Sequence, residues 1–142
     1  MNRTMKIKKY VYDKLMSNIH QAPPEMGGIL GGKNNCINSF VVDKGLPSNN
    51  YDEYIPNTEF LNVILSKWRA NGIEFYGMFH THFESGYTLS INDKKYICSI
   101  LKHTRLKDLY FPIIVPQQIM IVYKANIENR QLILETEGIE YF

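Results

Sequence analysis

The chain has 142 residues, 44% of them hydrophobic, which is enough for one domain with its own core and too short for two. Sixteen basic and fourteen acidic residues leave a net charge of +2, with no dense basic block beyond Lys6-Ile7-Lys8-Lys9, so a nucleic-acid partner is not indicated. No run of about 18 apolar residues occurs and the first nine residues lack an apolar stretch, so neither a membrane span nor a secretory signal is expected and a cytoplasmic location is.

In chain order, Met5 to Lys9 reads as a short strand. Val11, Tyr12, Leu15, Met16 and Ile19 then form the core-facing stripe of a helix that Pro23-Pro24 stops. Glu25 to Gly32 reads as a strand despite four glycines in six residues, a composition that weakens a strand unless something must approach its backbone closely. Cys36 to Val42 forms a second strand, hairpinned to the first through Lys33-Asn34-Asn35. Cys36 and Cys98 have no metal-ligand spacing to each other, and two isolated thiols in such a chain are expected to be reduced. Lys44 to Pro56 is a long polar loop whose Tyr51 and Tyr54 are candidates to line a substrate groove. Asn57 caps a helix carrying Phe60, Leu61, Ile64, Leu65 and Trp68, and Asn71-Gly72 ends it. A buried strand follows over Ile73 to Phe79. The C-terminal third offers strands at Phe111 to Val115, Gln118 to Lys124 and Gln131 to Thr136, with Ala125 to Asn129 as a connection. His20 and His103 read as surface or helix-end histidines.

The chemistry concentrates between Gly77 and Asp93. His80 and His82, at i and i+2 near the end of a strand, share a face and can converge on one ion. After a seven-residue loop, Ser90-Ile91-Asn92-Asp93 opens a helix patterned by Tyr96, Ile97, Ile100 and Leu101. Ser-x-x-Asp is an N-capping pattern, and the cap would fix where Asp93 points. Two imidazoles and one carboxylate with an open fourth position form the ligand set of a catalytic zinc, one ion per chain.

His80-x-His82-x7-Ser90-x2-Asp93 resembles the signature of the JAMM (JAB/MPN) zinc metalloproteases, of the prokaryotic single-domain type. The segment containing Glu25, Gly28, Leu30 and Gly32 is similar to that family's N-terminal Glu-x-x-Gly-x-Leu-x-Gly. The resemblance implies an α/β, cytidine-deaminase-like JAB/MPN domain over residues 1–142: a mixed, largely antiparallel sheet of about six strands packed by two or three helices. It implies metal ligands His80, His82 and Asp93, Glu25 as the catalytic acid and base, and Ser90 as the oxyanion donor. The implied reaction is hydrolysis of an amide or isopeptide bond after the C-terminal tail of a ubiquitin-like protein, which would be the substrate partner. The loops Lys44–Pro56 and Phe83–Leu89, the latter with Phe83 and Tyr87, would flank the channel. Two departures stand out. Phe83 occupies a position that is commonly proline in the family, and Asp93 to Phe111 leaves little room for the insertion that grips ubiquitin in eukaryotic members. A deaminase is not supported, because those enzymes pair His-x-Glu with Pro-Cys-x-x-Cys and no Cys-x-x-Cys occurs here. A non-catalytic MPN-type scaffold and a zinc amidase or peptidase acting on a small metabolite are the alternative readings.

Overall fold

A computed structural model describes residues 4–19, 24–48, 53–83, 86–106, 108–116 and 119–142. Among these described residues, seven strands and three helices follow in the order β1 (Thr4–Ile7), α1 (Lys9–Asn18), β2 (Gly27–Lys33), β3 (Cys36–Asp43), α2 (Thr58–Ala70), β4 (Glu74–Thr81), α3 (Ile91–Thr104), β5 (Leu109–Ile114), β6 (Met120–Glu128) and β7 (Gln131–Tyr141). The strands close into one barrel in the order β1-β3-β2-β4-β5-β6-β7, with β1 joining the two ends.

That closure overturns the expected cytidine-deaminase-like JAB/MPN sheet of about six strands packed by helices: the fold is a seven-stranded mixed barrel with three short helices. Two features produce it. The last strand runs to Tyr141, five residues beyond its expected end, and that extra length pairs in parallel with β1 from Thr4↔Gly138 to Ile7↔Tyr141. On its other side β1 meets β3 in parallel at Ile7↔Ile37, where the Lys8 amide also donates to the Ile37 carbonyl (2.9 Å). A barrel so closed leaves neither end strand wholly unpaired.

The remaining pairs are antiparallel for β3/β2, β2/β4, β5/β6 and β6/β7, and parallel for β4/β5. The β2–β3 hairpin turns at Asn34 and Asn35, both with positive φ (55° and 62°). The β6–β7 hairpin turns the same way at Asn129 and Arg130 (49° and 66°), so β6 continues through the Ala125 to Glu128 stretch expected to be a connection. Two adjacent residues of positive φ form the tight turn that matches the twist of paired strands.

Alternating side chains feed two cores. Leu30, Phe79 and Val122 pack with Val11 and Leu15 of α1 and with Ile19 just past its end. Ile29, Met78, Phe111 and Ala125 pack with Leu61 and Trp68 of α2 and Ile97 and Leu101 of α3. The β2 glycines serve close approach: a Cβ at Gly31 would lie 2.5 Å from the Trp68 ring, and one at Gly27 would lie 2.5 Å from the Tyr54 ring. Cys36 and Cys98 are free thiols. Among the described residues, no helix is long and apolar enough to cross a membrane.

A candidate metal centre beside a buried glutamate

β4 carries His80 as its second-last residue, and His82 follows one residue past the strand end. Both are 2% exposed, and their Nε2 atoms lie 2.9 Å apart. Asp93, in the first turn of α3, reaches both: Oδ1 lies 3.3 Å from His80 Nε2 and Oδ2 lies 3.3 Å from His82 Nε2. The ligand atoms that the three side chains offer all lie within 4.8 Å of one another. This group could hold a metal ion.

The aim of Asp93 comes from its helix end. Ser90 is the N-cap; its Oγ accepts from the Asp93 amide (3.0 Å), and the Ser90 amide donates back to Asp93 Oδ2 (2.9 Å). Such a capping box fixes the carboxylate's rotamer locally, before any tertiary contact. The aim of the histidines differs between them. His82 Nδ1 lies 2.9 Å from the Gly86 carbonyl, the arrangement that leaves Nε2 free for a metal. His80 Nδ1 is buried without a hydrogen-bond partner among the described residues. Its ring instead stacks on Tyr54 (centroids 6.1 Å apart, planes 20°) and meets the edge of Tyr96 (6.3 Å, 84°).

Glu25 reaches the site through strand register. β2 and β4 pair antiparallel with Ile29↔Met78, Gly28↔Phe79 and Gly27↔His80. The ladder continues one step, as the Thr81 amide donates to the Met26 carbonyl (2.8 Å) and the Met26 amide donates to Thr81 Oγ1 (2.9 Å). Glu25, next in the chain to Met26, comes close enough to His82 for its charge to act on that imidazole. Glu25 is buried and lines, with Ser90 and the His80, His82 and Asp93 side chains, a cavity of about 360 Å³. All five expected site residues therefore meet in one place.

The electrostatics follow from burial and from Asp93. Burial pushes His80 below the ordinary imidazole value, outweighing the hydrogen bond and charge of Asp93. For His82 burial also presses downward, but the Asp93 hydrogen bond and charge, the Glu25 charge and the Gly86 carbonyl together raise it. Burial works to raise the Asp93 carboxyl, yet hydrogen bonds from the two histidines hold it well below the usual carboxylate range. One imidazole is thus neutral at neutral pH and the carboxylate is charged, the protonation states a metal ligand needs.

Other expectations fare differently. Tyr51 and His20 lie outside the described residues, as do residues 84 and 85 of the Phe83–Leu89 loop. Tyr54 does line the cavity, and its hydroxyl donates to Asp43 Oδ2 (2.7 Å). Phe83 and Tyr87 do not line it. The Tyr87 hydroxyl donates to the Ile119 carbonyl (2.7 Å) and its own carbonyl accepts from Tyr123 (2.9 Å), so it ties its loop to the start of β6. Three residues missed in the sequence belong here. Asp43 is 4% exposed and accepts from Tyr54, Gly45 and Asn57; its only sequence signal is an Asp two residues before a glycine, the pattern of an Asx turn. Tyr96 reads as one more position of an apolar helix stripe, and Glu53 as a polar loop residue, yet both line the cavity.

Fold and site together define a small closed barrel with a buried pair of histidines and Asp93 in a partly open, acid-lined cavity. No family model matches the chain, and no curated protein matches it. Among solved structures, it is similar to the solution structure of protein DSY2949 from Desulfitobacterium hafniense, a target of the Northeast Structural Genomics Consortium. The TM-score is 0.65 at 19% identity, over 96% of this chain and 93% of that one. At that identity the likeness concerns the fold alone.

Proposed function

We propose that this protein is a zinc-dependent hydrolase of the JAMM type at the level of its motif. Its reaction would be cleavage of an amide or isopeptide bond after the C-terminal tail of a ubiquitin-like protein. The observation that carries the reading is the placement of Glu25: a buried carboxylate lines the same cavity as the three metal-capable side chains and Ser90, and its charge acts on His82. A structural zinc site closed by four protein ligands would have no use for it.

His80, His82 and Asp93 would hold the ion. A bound zinc supplies Lewis acidity that makes water a usable nucleophile at neutral pH. Glu25 takes the proton of the attacking water and delivers it to the leaving nitrogen, so one group acts as base and then as acid. Ser90 Oγ already accepts from the Asp93 amide, which leaves its O–H to donate to the carbonyl oxygen as negative charge develops there. An extended tail ending in small residues suits a confined cavity, and a strand-like tail can add main-chain hydrogen bonds along its approach.

The test is incubation of zinc-loaded protein with ubiquitin-like fusions ending in Gly-Gly-X, alongside small acyl-amino-acid amides, with wild type and Glu25→Gln in parallel. Glu25-dependent release of X is expected. Cleavage of the amides alone would replace the substrate class with a small metabolite. A zinc-loaded wild type that cleaves neither would support the scaffold alternative.

A further inference from the structure

We propose that Tyr54 is a positioning residue of the metal centre: its ring sets the plane of the His80 imidazole, and Asp43 sets the ring. The proposal rests on reading His80, His82 and Asp93 as metal ligands. The two histidines are oriented by different means. His82 has the hydrogen bond on Nδ1 that metal-binding histidines ordinarily have, to the Gly86 carbonyl. His80 has none among the described residues, although its Nδ1 is buried. Rotation about the Cβ–Cγ bond of histidine is soft, and it would swing Nε2 away from Asp93 and His82. Asp93 contacts Nε2 at one corner of the ring (3.3 Å), and the groups packed on the ring itself are aromatic.

Tyr54 lies nearly parallel to the His80 ring, and Tyr96 meets it edge-on. The Tyr54 ring is itself seated in a slot floored by glycine. A Cβ at Gly27 would lie 2.5 Å from the ring and one at Gly45 would lie 3.1 Å from it, so larger residues at either position would push the ring off its seat. Gly45 also has a φ of +82°, which glycine tolerates best. The far end of the ring is pinned by the hydroxyl, which donates to Asp43 Oδ2 at 2.7 Å. Asp43 in turn accepts from the Gly45 amide (2.9 Å) and the Asn57 amide (2.9 Å). One buried carboxylate therefore ties together the start of the loop, the tyrosine that covers His80 and the N-cap of α2. In this arrangement a glycine of β2, an aspartate at the end of β3 and a loop tyrosine act on the metal centre without touching the ion.

The experiment is a zinc and cobalt titration of the purified full chain, as wild type, Tyr54→Phe and Tyr54→Met. Phenylalanine keeps the flat face and loses only the bond to Asp43. Methionine fills similar volume without a flat face. Tyr54→Met is expected to bind one metal with an affinity about tenfold to a hundredfold weaker, the range seen when the support of a metal ligand is removed. Its cobalt absorption bands should shift as the ligand geometry relaxes. Tyr54→Phe, which keeps the ring but frees it from Asp43, should lose less, about threefold to fivefold, with a smaller shift of the cobalt bands and a lower melting temperature. Equal affinities and spectra for Tyr54→Met and wild type would overturn the proposal, and so would equal losses in the Phe and Met variants. Tyr54→Leu replaces Tyr54→Met in the same comparison if the latter does not fold. A wild-type chain that binds neither metal would remove the metal-site reading itself, a result distinct from equal affinities.

Discussion

Ser90→Ala separates two roles that one side chain can hold. The substitution deletes the bond from the Asp93 amide to Ser90 Oγ (3.0 Å), but the reciprocal bond from the Ser90 amide to Asp93 Oδ2 is made by backbone and survives. Loss of a serine N-cap costs about 1 kcal/mol, within a range of roughly 0.5–2. For a chain of this length that lowers the melting temperature by about 3 °C. Against a stability of about 5–15 kcal/mol, a loss of this size leaves nearly every molecule folded, so it cannot lower turnover appreciably by itself. Loss of an oxyanion donor costs about 10²- to 10³-fold in turnover. The two effects differ in kind and are read separately, by thermal melting and by initial rates on a Gly-Gly-X fusion with zinc saturating. Ser90→Thr, which keeps both the cap and the donor, should retain most of the activity. A Ser90→Ala enzyme within about threefold of wild type, melting about 3 °C lower, would refute the oxyanion role and leave Ser90 a helix cap.

Glu25→Gln should fold and bind zinc as wild type does while losing at least about 10²-fold in turnover, since the amide cannot accept the proton; zinc analysis and rates on the same preparation check it. His80→Ala, His82→Ala and Asp93→Ala should each lower zinc content, and full occupancy in the His80→Ala, His82→Ala double variant would sink the site assignment. Zinc affinity should fall on acidification. His82 is raised above the ordinary imidazole value in the metal-free chain, so below that raised value zinc must displace its proton, and each proton displaced costs about tenfold in affinity per pH unit. An affinity flat between pH 7.5 and 5.5 would contradict this. Gly77→Ala should destabilise strongly, by about 3 kcal/mol or more. Gly77 has a φ of +149° and an added Cβ would overlap the Tyr110 backbone carbonyl across the β4–β5 pair; an unchanged urea midpoint would refute it.

How far the site and the fold could be read from residues depends on the range of the interaction. His80 and His82 were legible because a strand repeats every two residues, and Asp93 because a capping box spans only three. Glu25 was legible only through the resemblance, since it shares a cavity with a histidine 57 positions away in number and no local pattern encodes the β2–β4 pairing that brings the two segments together. Barrel closure was not legible at all. It depends on a four-residue strand pairing with the far end of the last one, where Gly138 interrupts the alternation, and on a single register point with β3. The β6–β7 turn was misplaced because Asn129-Arg130 adopts positive φ without a glycine to announce it. Tyr87 misled for another reason: an aromatic loop residue near a motif can face either way, and its hydroxyl is bonded to the backbone at Ile119.

The overturned fold and the assembled site do not conflict, because the site depends on a small part of the barrel. Three devices suffice to build it: the antiparallel β2–β4 ladder, which brings the start of β2 beside the histidines; the capping box of α3, which aims Asp93; and the aromatic seat of His80, held by Asp43. None of them involves β1, β6 or β7, the strands whose pairing closes the barrel. Closure instead bears on stability, since it satisfies backbone groups that an open sheet would leave bare. A change confined to the β1–β7 seam, such as Ile139→Asn on a residue packed against the α1-side core, is therefore expected to lower the melting temperature by several degrees. Zinc affinity, measured well below the melting range, should stay within about threefold of wild type. Parallel loss of affinity and stability in that variant would show that the centre depends on the whole barrel and not on its β2–β4–α3 quarter.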